Sequence, residues 1–127
     1  MNYCTTGKPS VLFVDDEINL IYTIPPILSL HGFEVKAVTT VEDALAAIED
    51  AEFDILLTDL NISGPNDGHL IVNAMREAQR GAKTAIITGY AHSLHDAAHP
   101  SAPDRYFTKP MPPDKLVAAL WDMVRSS

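Results

Sequence analysis

The chain has 127 residues, 46% hydrophobic and 20% charged, proportions that indicate a globular protein with one core. Its formal net charge of -8 argues against direct contact with nucleic acid, and its one cysteine, Cys4, cannot form an internal disulfide bond. No apolar run is long enough to cross a membrane, and the N-terminus lacks the apolar core of a signal peptide. We therefore expect a cytoplasmic protein, with a lead-in at residues 1–10 and one domain at 11–127.

Apolar runs and helical spacings alternate along the chain in a β–α pattern repeated five times. Strands are predicted at 11–14, 33–38, 53–59, 84–88 and 106–108, and helices at about 18–30, 41–49, 70–80, 94–98 and from 112 onward. Interior prolines at 25 and 26 predict a kink or break in the first helix. The alternation predicts a parallel sheet with helices on both faces.

Several of these strands end in side chains suited to phosphoryl chemistry. The first strand ends in Asp15-Asp16, the third in Asp59, the fourth in Thr88 and the last in Lys109. Because open α/β sheets bind ligands outside the carboxyl ends of their strands, we expect one acidic pocket centred on Asp59. The acids after the first strand have a second explanation, since acidic residues also favour a helix N-terminus.

Three carboxylates in one pocket repel one another, and a hard divalent cation such as Mg2+ would supply the counter-charge. We predict that Asp16 and Asp59 bind the ion directly and that Asp15 acts through a bound water. The backbone carbonyl of Asn61 could complete the set. Lys109 is a second, fixed positive charge, predicted to pair with Asp59 at rest and with a phosphoryl oxygen afterwards.

A carboxylate can act as the nucleophile in phosphoryl transfer and become an aspartyl phosphate, which is the role predicted for Asp59. The Thr88 hydroxyl could donate a hydrogen bond to the new group. Tyr106 could rotate inward when Thr88 moves. An ordinary half-buried strand aromatic explains Tyr106 equally well.

The chain resembles the response-regulator receiver domain of two-component signalling. The resemblance covers nearly the whole chain from Val11 and rests on four motifs in the family's order: Val14-Asp15-Asp16-Glu17, Leu57-Thr58-Asp59, Ile87-Thr88-Gly89 and Tyr106-Phe107-Thr108-Lys109-Pro110. It implies a flavodoxin-like, doubly wound, five-stranded parallel sheet of order 2-1-3-4-5 in a three-layer α/β/α arrangement.

The resemblance also implies a function and a site. A histidine kinase would donate the phosphoryl group to Asp59, with Mg2+ at Asp15, Asp16 and Asn61. The family's switch roles would fall on Thr88 and Tyr106. Lys109 would contact the phosphate, with a cis peptide bond before Pro110.

The chain departs from the family pattern around the site and on its output side. Ser63 stands where the family usually has a proline, and Gly68 comes one place late, so the loop after Asp59 has gained a residue. The region of the fourth helix is short. The sequence therefore leaves three points undecided: the identity of the downstream partner, the presence of an output domain, and the formation of a homodimer.

Three functions are compatible with these residues. The first is a phosphoacceptor signalling domain, which is not an enzyme in the ordinary sense and only assists its own phosphotransfer and dephosphorylation. The second is a degenerate receiver that binds a protein partner without phosphorylation. The third is a small phosphatase, disfavoured because Asn61 stands where a second carboxylate would serve acid–base catalysis.

Overall fold

The computed structural model describes residues 8–89 and 102–125. Its elements, in chain order, are β1 (Ser10–Val14), α1 (Ile18–Leu30), β2 (Glu34–Val38), α2 (Val41–Asp50), β3 (Ile55–Asp59), α3 (Asp67–Ala78), β4 (Lys83–Thr88), β5 (Arg105–Thr108) and α4 (Pro113–Arg125). The helical turns predicted at 94–98 lie outside the described residues.

The strands form one sheet of order β2-β1-β3-β4-β5 in which every neighbouring pair is parallel. This confirms the order implied by the resemblance. The wholly apolar run of β1 lies inside the sheet and is buried, whereas the alternating β2 lies at an edge and is partly exposed. Burial on both faces is what a near-continuous apolar strand requires.

An apolar layer covers each face of the sheet. One contains Phe13, Leu57 and Ile87 from the strands with side chains of α1 and α4. The other contains Leu12 and Leu56 with side chains of α2 and α3. The helices therefore hold both faces, and the carboxyl ends of the strands stay at the top edge of the sheet.

Helix α1 runs without interruption through Pro25 and Pro26, so the predicted break is wrong. Ile24 and Leu28, on either side of the prolines, are buried in the core. Burying two such side chains contributes about 1.5–3 kcal/mol each, which offsets much of the cost of about 3 kcal/mol for each of the two prolines. The helix ends at Leu30 with His31 as its C-cap, and Gly32 follows with φ +99°, a left-handed conformation that glycine adopts without strain.

At the amino end of the sheet, two aspartates link neighbouring strands. Asp54 Oδ2 accepts a hydrogen bond from the backbone N–H of Ser10 at 2.8 Å, and Asp104 Oδ2 accepts one from the N–H of Thr84 at 2.8 Å. Each carboxylate also accepts from the hydroxyl of that same serine or threonine, at 3.3 and 3.2 Å. These charge-assisted bonds fasten β1 and β4 where their regular ladders begin.

Candidate functional site

The sheet order itself brings the predicted acidic residues together. β1 and β3 are adjacent, with Val14 opposite Thr58, and each strand is followed or ended by an aspartate. Asp15 comes directly after Val14, and Asp59 is the last residue of β3. Two carboxylates therefore lie side by side at the carboxyl edge of the sheet, as the strand-end pattern predicted.

Carboxylate oxygens of Asp15, Asp16 and Asp59 lie within 4.8 Å of one another. Asp15 is fully buried, Asp59 is partly buried and Asp16 is exposed, so the cluster reaches from the core to solvent. A set made only of carboxylate oxygens, with one exposed member, suits Mg2+, which prefers oxygen ligands and keeps several waters. The residues present therefore fit this ion.

Lys109 joins the cluster from the loop after β5. Its Nζ lies 2.8 Å from Asp15 Oδ2 and 3.4 Å from Asp59 Oδ2. The prediction paired this lysine with Asp59 at rest, but the shorter bond is to Asp15. The difference has a physical reason: Asp15 has no exposed surface, so it depends most on a buried counter-charge. The Lys109–Pro110 peptide bond is cis, as the resemblance implied.

The cluster contains three carboxylates and one ammonium group, so its negative charge exceeds its positive charge. Burial raises the pKa of the Asp59 carboxyl above its ordinary value, the nearby Asp15 adds to the rise, and Lys109 offsets only part of it. Burial works to lower the pKa of Lys109, but the hydrogen bond and charge of Asp15, together with Asp59, outweigh burial and raise it. The charged form of Lys109 is therefore favoured, whereas the charged form of Asp59 is disfavoured relative to a carboxylate in water.

Backbone contacts fix the orientation of Asp59. Its Oδ1 accepts a hydrogen bond from the N–H of Leu60 at 2.8 Å, and the carbonyl of Leu60 accepts one from the N–H of Gly68 at 2.7 Å. A Cβ at position 68 would lie 2.6 Å from the Asp59 carbonyl oxygen and 2.9 Å from Leu60 Cα. Gly68 thus lets α3 begin against the end of β3. The sequence motif shows only that this glycine is displaced by one place, and the close approach to β3 is visible only in the structure.

The loop between β3 and α3 is held by its own side chains. Asp67 Oδ2 accepts hydrogen bonds from the N–H groups of Ser63 and Gly64 at 2.9 and 2.7 Å. Asn61 Oδ1 accepts one from the N–H of Asn66, which has a left-handed φ of 66°. The added residue is therefore absorbed in a closed turn, and α3 begins at Asp67, three residues before its predicted start. Whether the Asn61 carbonyl binds a metal ion stays a prediction.

Thr88 and Tyr106 lie on the two strands at the far side of the site. Thr88 ends β4, is 1% exposed and stands opposite Thr108 in the ladder. Tyr106 stands opposite Ile86 and packs, partly buried, against the apolar layer under α2 and α3. This position matches the ordinary explanation of Tyr106 as a strand aromatic. The switch roles of both residues stay predictions.

Comparison with known proteins identifies the family. The family model described as the response regulator receiver domain matches residues 11–121. The chain belongs to this family, whose members accept phosphoryl groups in two-component signalling and are not enzymes in the ordinary sense.

The similar proteins agree with this family. The transcriptional regulatory protein TrcR of Mycobacterium tuberculosis is 31% identical over 95% of this chain and 48% of its own length, so the chain spans about half of that relative. A response regulator receiver protein from Sinorhizobium medicae is 26% identical, covers 96% of this chain and 98% of its own, and superposes with a TM-score of 0.85. A receiver domain protein from Methanospirillum hungatei is 25% identical and superposes with a TM-score of 0.82, and the match covers 92% of this chain and 94% of its own.

Among residues 8–89 and 102–125, no helix is long and apolar enough to cross a membrane.

Proposed function

We propose that this chain accepts a phosphoryl group on Asp59 from the phosphohistidine of a histidine kinase. The observation that carries the proposal is the cluster of Asp15, Asp16 and Asp59 oxygens within 4.8 Å of one another. Lys109 is in reach of two of these carboxylates, at 2.8 and 3.4 Å. An acceptor needs this pairing of a nucleophilic carboxylate with fixed positive charge.

The two oxygens of Asp59 have different surroundings, which supports different roles. Oδ1 is engaged by the N–H of Leu60, and Oδ2 faces Lys109. We assign Oδ2 as the nucleophile. It forms a bond to phosphorus while the bond from phosphorus to the kinase imidazole breaks, and the imidazole leaves as the neutral base after taking up a proton.

Asp15, Asp16 and Asp59, with the backbone carbonyl of Asn61, would hold Mg2+. When bound, the ion neutralises charge on the oxygens of the transferring group. Lys109 would keep its hydrogen bond to Asp15, and another N–H of its ammonium group would turn from Asp59 to a phosphoryl oxygen. Thr88, at the end of β4, would donate its hydroxyl to the same group, and Tyr106 would follow the movement of Thr88 as a switch.

The same residues would assist dephosphorylation, in which water attacks phosphorus and the Asp59 carboxylate leaves, since the phosphoryl oxygens carry negative charge in that transition state as well. The downstream partner is a protein or an output domain, because one relative named above, TrcR, is about twice as long as the matched region. We also propose that the protein is located in the cytoplasm, as predicted from the sequence. No described feature favours the degenerate alternative, since the acidic cluster and its lysine are assembled.

The test is intact mass after incubation with a small phosphoryl donor such as acetyl phosphate, with and without Mg2+. Wild type should gain one phosphoryl group only with Mg2+, and Asp59→Asn should gain none. Asp50→Asn makes the same chemical change at an exposed position at the end of α2 and should behave as wild type.

Retained phosphorylation in Asp59→Asn would disprove the assignment of the acceptor. If no adduct forms with the small donor, the wild type and both variants are tested with a phosphorylated histidine kinase. Absence of transfer there as well, from folded protein, would disprove the proposed function.

A further inference from the structure

A second concave site lies beside the acidic cluster, between α1 and the start of α4. Its volume is about 350 Å³, at the lower end of the range of about 300–1,000 Å³ for small-molecule sites. Its lining is mostly apolar and includes Phe13, Leu20, Ile24, Leu57, Met111 and Leu116. The receiver function described above makes no use of it.

The floor of this cavity is buried, whereas its wall is only partly buried. Phe13 and Leu57 at the floor are buried side chains of β1 and β3. Leu20 and Met111 on the wall are only partly buried, although both pack against the same apolar layer. An apolar ligand of about one ring could therefore complete the burial of these side chains without displacing the sheet.

The charged groups at the mouth decide what kind of ligand fits. Lys109 borders the cavity, but its Nζ is already bonded to Asp15 and close to Asp59. Glu17 also borders the cavity; its side chain is 54% exposed, and its only ion pair among the described residues is a long one to Lys109, at 3.9 Å. Although Glu17 is the N-cap residue of α1, its side chain makes no capping hydrogen bond. Its carboxylate is therefore available at the rim.

The surrounding charge favours a cation. Next to the single ammonium of Lys109 stand the carboxylates of Glu17 and of the three clustered aspartates. An anionic head group would meet net repulsion here, whereas a protonated amine would pair with Glu17.

We propose that this cavity binds a small molecule with an apolar body of about one ring and one protonated amine, which Glu17 receives. The site is separate from the phosphoacceptor and does not rest on the proposed function. Because Lys109 borders both sites, a bound ligand and a change at Asp59 would affect each other, and any such coupling is reciprocal.

The test is an amide NMR titration of the unphosphorylated full chain with phenethylamine. Phenylpropionate has a similar body with an anionic head, and ethylamine carries the head with little of the body. Phenethylamine should cause saturable shifts at Leu20, Ile24 and Met111, and the two comparison compounds should bind at least about tenfold more weakly. Phenylpropionate binding as tightly as phenethylamine would overturn the proposal, as would the absence of saturable shifts at these residues.

Two variants locate the ligand. Leu20→Trp fills the cavity from a partly buried wall position and should abolish the shifts. Glu17→Gln keeps the shape of the side chain and removes its charge, and should weaken phenethylamine by about fivefold, the effect of one exposed ion pair. Glu77→Gln, the same change at an exposed position on α3, should leave affinity unchanged.

The proposal is wrong if a folded Leu20→Trp variant still binds phenethylamine with wild-type affinity. If that variant does not fold, the comparison of the two glutamate variants decides. Equal affinity in Glu17→Gln and Glu77→Gln would then overturn the assignment of the amine to Glu17. Either result can be read without any phosphorylation of the chain.

Discussion

The two ends of the sheet use aspartate in opposite ways. At the amino end, Asp54 and Asp104 each accept a backbone N–H of a neighbouring strand at 2.8 Å. At the carboxyl end, Asp15, Asp16 and Asp59 lie together with one lysine between them.

This contrast separates stability from function. A carboxylate whose lone pairs meet backbone donors is a favourable part of the fold. A cluster with more carboxylates than counter-charges costs free energy, and its cost is relieved when a cation or a phosphoryl group with its counter-ions arrives. Burial is the main cause of the raised pKa of Asp59, and the neighbouring Asp15 carboxylate adds to it, so the charged form of Asp59 contributes to that cost. The following variants test the contrast, beginning with the largest expected effect.

Lys109→Met should destabilise the protein most. It removes the cation that lies 2.8 Å from the fully buried Asp15 carboxylate, and breaking such a buried pair costs about 3 kcal/mol. Unfolding in urea at neutral pH measures the loss. Adding Asp15→Asn to Lys109→Met should recover much of it, because the fully buried side chain at position 15 then carries no charge that needs a partner.

Lys115→Met is the matched control, since this lysine is exposed on α4. Its free energy of unfolding should change by less than about 0.5 kcal/mol. A Lys109→Met variant as stable as this control would mean that the lysine does not hold Asp15 in place.

Gly68→Ala should have the second largest effect on stability. Alanine normally favours a helix, but here its Cβ would lie 2.6 Å from the Asp59 carbonyl oxygen. The overlap should outweigh the helix preference and destabilise the protein by about 2 kcal/mol. Gly64→Ala is the control, since its nearest neighbour would be Asp67 Oδ1 at 3.8 Å, an ordinary contact. If Gly68→Ala were as stable as Gly64→Ala, α3 would not depend on close approach to β3.

The sequence predicted the sheet and the acidic edge because both follow from local patterns. Apolar runs such as Val11–Val14 specify buried strands, and an aspartate directly after such a run must lie at the carboxyl edge. The four motifs in the family's order then supplied the strand order. These features needed no knowledge of distances across the fold.

Other features depend on distances that no local pattern contains. The closer bond of Lys109 to Asp15 than to Asp59 follows from how deeply each carboxylate is buried. The role of Gly68 follows from the approach of α3 to β3, and turn-forming residues around it delayed the predicted start of that helix. The uninterrupted α1 follows from the burial of Ile24 and Leu28 around its prolines.

Asp54→Ala should show directly that the aspartates at the two ends of the sheet have different roles. It removes the acceptor of a buried backbone N–H at Ser10, which should cost about 1.5 kcal/mol in unfolding free energy. Phosphoryl uptake measured by intact mass should stay at the wild-type level. Asp50→Ala, at an exposed position, should alter neither quantity. Loss of uptake in a folded Asp54→Ala variant would contradict the division between the two ends.

Asp59→Asn should have the smallest effect on stability, and its sign should be opposite to that of the other variants. The pKa of Asp59 is raised in the folded protein above the ordinary 3.8, so the folded state holds the proton more tightly than the unfolded state. This group therefore lowers stability as pH rises through the interval above 3.8. In metal-free buffer at neutral pH, asparagine should stabilise the protein by an amount on the order of 0.5 kcal/mol.

The gain from Asp59→Asn should shrink as pH falls towards 3.8 and the wild-type carboxyl becomes protonated in both states. Urea unfolding of both proteins across that range measures the difference. Mg2+ should reverse it, because the ion stabilises the wild-type cluster and loses a ligand in the variant. A variant less stable than wild type in metal-free neutral buffer would mean that Lys109 already neutralises Asp59. The carboxyl end of the sheet would then be a balanced ion-pair network, with its carboxylates as well compensated as those at the amino end, rather than a cluster poised to bind a cation.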